Sequence, residues 1–103
     1  MSEFIKDDIT PESAWRITES YLDLQIFYLK KSLLTWQCDS EFIDEIVIHF
    51  KKDVEDILDN FLITLTYIKD ISFEEYKKIK SLTETKKHKI IKDVEKYVLT
   101  LSP

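Results

Sequence analysis

The chain has 103 residues, 44% of them hydrophobic and 34% charged, with a net charge of −5. That is one domain's worth of sequence, and it carries too much apolar material for a disordered chain. It has no glycine, and its two prolines, Pro11 and Pro103, lie near the ends; tight hairpins, P-loops and dinucleotide-binding turns need glycine, so an all-α fold is expected.

Cys38 is the single cysteine and excludes an internal disulfide. The N-terminus lacks a basic region followed by an apolar run, and no uncharged stretch approaches the ~20 residues that span a bilayer, so a cytoplasmic protein is the expectation. Fourteen lysines against one arginine, with many isoleucines, suggest an AT-rich, bacterial coding bias. Charge is bipolar. Residues 1–76 carry a net −10 and residues 77–103 a net +5.

Thr10-Pro11-Glu12 reads as a helix start, with a capping hydroxyl, proline at the first helical position and an acid at the positive end of the dipole. The first helix is expected over 11–37. Trp15, Leu22, Ile26, Leu29, Leu33 and Trp36 form one apolar stripe; Ile17, Tyr21, Leu24 and Tyr28 form a second beside it. Together they subtend an arc of roughly 200°, wider than an ordinary surface helix. That places this helix at the centre of the bundle, or partly under another chain.

Asp39 or Ser40 starts a second helix over 40–69, with a core stripe from Ile43 through Phe50, Val54, Leu58 and Phe61 to Ile68. Ser72 and Glu75 then make a capping box, and Ile71 and Tyr76 a hydrophobic staple, opening a third helix at Phe73. Continued unbroken, that helix would put Thr83 and Lys87 into its core stripe. A break is therefore expected near "SLTET", giving helices over 73–82 and 85–101, the last burying Ile90, Val94, Tyr97 and Leu101. The whole reads as a three- to four-helix antiparallel bundle. Lys-Asp-Val-Glu occurs at 52–55 and 92–95, but little else aligns around the two copies, and no repeat is inferred.

Catalytic candidates are weak, and no enzyme, cofactor or metal is expected. Glu45, His49 and Asp53 follow one helix edge and could face a metal, yet they equally make an ordinary solvated row. His88 sits among lysines, and Cys38 has no activating base nearby. The lysine-rich segment 77–92 suggests nucleic acid, but it lacks arginine and an exposed aromatic platform, and the acidic whole opposes a polyanion.

The outer strip of the second helix carries more information. Glu41, Glu45, Ile48, Lys52, Asp56, Asp59 and Ile63 lie opposite its core stripe, flanked by Glu55 and Tyr67. Apolar anchors among acids suit a basic protein partner, with contact supplied by the anchors and steering by the acids. Phe27 and Leu34 project from the polar side of the first helix as candidate oligomer contacts. In acidity, size and helical character the chain resembles the small immunity proteins and antitoxins that neutralise basic nuclease toxins. That resemblance implies a non-catalytic inhibitor covering a basic site, and it assigns no residue roles. A second likeness, to the helical-hairpin substrates of type VII secretion, rests on Trp36-Gln37-Cys38 at the inter-helix turn. The glycine of that family's Trp-x-Gly turn is missing, as is its C-terminal export signal. The alternative functions are a homo-oligomeric structural or regulatory protein and, third, a lysine-driven nucleic-acid binder.

Overall fold

A computed structural model describes residues 9–35, 39–68 and 71–101. Three helices account for nearly all of them: α1 (Pro11–Thr35), α2 (Ser40–Leu65) and α3 (Phe73–Leu101). Each begins at a cap that satisfies amides the helix itself leaves unpaired. At α1, Thr10 Oγ1 accepts from the Ser13 amide and Ser13 Oγ accepts from the Thr10 amide, both at 3.0 Å. At α2 the Asp39 carboxylate accepts from the Phe42 amide at 3.1 Å. At α3 the expected box is complete. Ser72 Oγ accepts from the Glu75 amide at 3.0 Å, and the Glu75 carboxylate accepts from the Ser72 amide at 3.2 Å.

The helices run up, down and up. The start of α1 meets the end of α2, where Ala14 packs with Phe61 and Leu65. The far end of α1, Leu29 and Leu33, shares a core with Ile43 near the start of α2. Leu22, Leu33, Val54 and Leu65 are fully buried. α3 lies along one side of this hairpin and adds Ile90 and Val94 to the main core, with Tyr97 and Leu101 half-buried beside them. Tyr76 and Ile79 join the smaller cluster around Phe61 and Leu65, together with Ile71, the other member of the staple. Trp15 packs against both clusters and meets the Phe61 ring edge-to-face, with centroids 5.1 Å apart. The thinnest extent is 16 Å, which corresponds to two layers of helix backbone.

Three expectations change. First, α3 is one helix of 29 residues with no interruption at 81–85. Thr83 and Lys87 do reach the core side, as an unbroken helix requires, but each is satisfied there. The buried Thr83 hydroxyl donates to the Lys80 carbonyl at 2.7 Å, and Lys87 lays its stem inward while its ammonium reaches Glu55. Second, α2 ends at Leu65 rather than 69. The Thr66 amide and hydroxyl both turn back to the Ile63 carbonyl, tightening the final turn. Third, α1 is not central. α2 is the helix that packs closely against both others, and only one of the two apolar stripes of α1 is buried. The expected extension of α1 through Trp36 and Gln37, and the setting of Cys38, lie outside the described residues.

Continuity of α3 has a direct consequence. Thr85 is exposed in mid-helix, so Thr85→Pro should lower stability by about 3 kcal/mol. Urea unfolding measures this, and an interrupted helix would tolerate the change. At the opposite extreme of burial, Leu22→Ala should cost about 2–5 kcal/mol in the same assay.

Candidate partner-binding surface

The outer strip of α2 faces solvent. Glu41, Glu45, Asp56 and Asp59 are exposed. Among them Ile48, Ile63 and Tyr67 stand 64%, 54% and 82% exposed. The helix positions these side chains by period alone, because its opposite face is committed to the core through Phe50, Val54, Leu58 and Phe61.

The lysines of α3 touch this acidic helix at one edge. Lys87 Nζ donates to a Glu55 carboxylate oxygen at 3.1 Å, and Lys51 of α2 reaches back to Glu95 of α3 at 3.2 Å. The Glu55 hydrogen bond holds the Lys87 ammonium above the ordinary lysine value of 10.5. Partial burial opposes that shift, while the charges of Glu55, Glu84 and Asp59 add to it. Lys86 pairs with Glu19 of α1 at 3.7 Å, and Lys52 approaches Asp56 within α2 at 4.0 Å. Glu55 is therefore committed to α3, whereas Glu41, Glu45 and Asp59 form no ion pair among the described residues. The lysine-rich segment borders the strip without covering it.

Other sequence-derived candidates scatter. Phe27 and Leu34 are exposed, and the Phe27 ring meets Tyr28 edge-to-face at 5.7 Å. Glu45, His49 and Asp53 are all exposed, and among the described residues no group of three or more carboxylate, imidazole or thiol side chains is arranged to hold a metal ion. His88 faces solvent. Trp36 and Cys38 lie outside the described residues. No helix among those described is long and apolar enough to cross a membrane.

One surface was not anticipated as a site. The second stripe of α1 is open, with Ile17 61%, Tyr21 58%, Leu24 45% and Tyr28 54% exposed. It borders a groove of about 450 Å³ between α1 and α2, on the side away from α3. Ala14, Thr18 and Phe61 floor the groove, Ile17 and Tyr21 form one wall, and Ile57, Asn60 and Thr64 the other. The width of the apolar arc on α1 was the sequence signal for it. Periodicity alone could not say which half of that arc a neighbour covers. Exposed apolar area on the order of a few hundred Å² is what marks interaction surfaces on monomers.

Compared with protein-family models, with curated proteins and with solved structures, the chain has no match.

The Lys87–Glu55 pair is only partly shielded, so it contributes no more than about 1 kcal/mol. Because the folded ammonium is held above 10.5, that contribution is complete below pH 10.5 and fades as pH rises through the folded value. Lys87→Gln should therefore lose up to about 1 kcal/mol at pH 8, and the gap between variant and parent should shrink at the alkaline end of a urea-unfolding series.

Proposed function

We propose that this chain is a non-catalytic binding protein, and specifically an acidic inhibitor of the immunity or antitoxin type that covers a basic site on a partner protein. The observation that carries the reading is the exposure of Ile48, Ile63 and Tyr67 on a helix strip whose acids Glu41 and Glu45 form no ion pair among the described residues. Large apolar side chains held in water cost solubility, and a strip needed only for solvation would not carry three of them. The acids around them give a negative field that speeds encounter with a cationic surface and weakens as salt screens it.

A second reading, a homo-oligomer, draws on the exposure of Phe27 and Leu34, seven residues apart along α1. Sedimentation of the pure protein separates the two. A dimer dissociated by Phe27→Glu would favour self-association, and a monomer favours a different partner.

For the inhibitor reading, the decisive measurement is association kinetics with whichever protein the full chain retains at low salt. The retained protein should be basic, and its association rate should fall as salt rises. Asp56→Lys with Asp59→Lys should slow association by about ten-fold, with a smaller effect on dissociation. An association rate insensitive to both salt and charge reversal means the outer strip of α2 is not the contact.

A further inference from the structure

We infer that α3 is an ion-latched strap: it lifts off the paired α1 and α2 as a unit, ahead of global unfolding, and uncovers the apolar flank that carries Trp15, Ile26, Leu29, Leu58 and Phe61. The seam under α3 is distinct from both the outer strip of α2 and the groove opposite α3.

Packing is uneven between the two seams. α1 buries five side chains and α2 six, whereas α3, the longest helix at 29 residues, buries only Thr83, Ile90 and Val94. α3 packs closely against α2 alone, and its backbone stands off from α1. Cavities follow from that separation. One of about 500 Å³ lies between Trp15 and Phe61 on the hairpin and Ile79 and Leu82 on α3. Another, of about 540 Å³, lies between Ile26 and Leu29 on α1 and Ile90, Val94 and Tyr97 on α3. A third, of about 250 Å³, is lined by Leu58 and Leu62 of α2 and Thr83 of α3. Side chains beside such gaps lack partner atoms on one side and forfeit part of their dispersion energy. The apolar grip on α3 therefore centres on Ile90 and Val94, with Ile79 and Tyr97 half-buried to either side.

Polar contacts supply the latch. Lys86 ties α3 to Glu19 of α1 at 3.7 Å, while Lys87–Glu55 and Lys51–Glu95 tie it to α2 at 3.1 and 3.2 Å. Lys30 of α1 also rests over the Tyr97 ring, 5.3 Å from its centre. The carboxylates of Glu19, Glu55 and Glu95 are 44%, 55% and 54% exposed, so salt screens all three pairs. Glu12, Lys89, Asp93 and Lys96 line the α1–α3 seam as well, but form no ion pair among the described residues. Lifting α3 orphans no buried polar side chain. The Thr83 hydroxyl bonds to its own helix, and the Ser72–Glu75 cap is internal to the α3 terminus.

Native-state hydrogen exchange of the full chain, read residue by residue by NMR in low urea, tests the strap. The Ile90 and Val94 amides should exchange at least about ten-fold faster than those of Leu22 and Val54, and with a shallower urea dependence, the mark of a sub-global opening. Raising NaCl from about 0.05 to about 0.5 M should increase the ratio of α3 to hairpin exchange about three- to five-fold. Lys86→Gln with Glu95→Gln removes two of the three pairs at no change in net charge. That double variant should raise the ratio at low salt and flatten its salt dependence. Equal rates and equal urea slopes for α3 and the hairpin would overturn the strap, because the three helices would then open as one cooperative unit. A ratio that ignores both salt and the double variant would overturn the latch, leaving apolar packing alone to hold α3.

Discussion

A pair of packed helices has two long sides, and after α1 and α2 have paired, the described residues supply one further helix. α3 settles on one side through Ile90, Val94, Tyr76 and Ile79. The opposite side, with Ile17 and Tyr21 on α1 facing Ile57 and Thr64 on α2 across a groove, has no described element to cover it. The surface chemistry follows from this arithmetic of sides. The hairpin closes because Leu22, Leu29 and Leu33 interlock with Ile43, Phe50 and Val54, and the pairing sets the rotation of both helices. Once that rotation is set, the second stripe of α1 and the acidic strip of α2 are committed to facing outward.

Electrostatics reinforces the same division. Ion pairs with α3 cross from both helices: Lys51–Glu95 and Lys87–Glu55 to α2, and Lys86–Glu19 to α1. These contacts lie where α3 meets the hairpin and help set its register, each with the modest weight of an exposed pair. On the outer strip of α2, Asp56 is met by Lys52 of the same helix and Asp59 lies near Lys87 of α3, whereas Glu41 and Glu45 form no ion pair among the described residues. An acidic, apolar-studded exterior and a lysine-bearing third helix are two consequences of one packing choice.

Much of this was legible in the residues. Thr10 and Ser72 cap the helices they were expected to start, and of the two expected candidates Asp39 and Ser40 it is Asp39 that caps α2, because capping is local chemistry that needs only neighbouring amides. The core stripe of α2 and the buried Ile90 and Val94 of α3 follow from helical period. Two features were not legible, for different reasons. A threonine and a lysine in the core stripe suggested a break in α3; the helix persists because Thr83 bonds to its own backbone and Lys87 finds a carboxylate 32 residues away. The second stripe of α1 was readable as apolar, with burial inside the bundle and cover by another chain both left open, since exposure depends on how many helices arrive and on which side. For the candidate site, the placement of Ile48, Ile63 and Tyr67 could be read from period, whereas the groove beside Tyr21 could be found only once α1 and α2 were assembled.

The claim beneath all of this is that the face of the hairpin opposite α3 lies in water in the free chain. Laser-induced nuclear polarisation of tyrosine, recorded at a concentration where the protein is monomeric, tests it most directly, because the photosensitising dye must touch a ring to polarise it. Strong signals from Tyr21 and Tyr28, comparable with the outermost Tyr67 and well above the half-buried Tyr76 and Tyr97, are the predicted result. Silent Tyr21 and Tyr28 rings beside a polarised Tyr67 would contradict it.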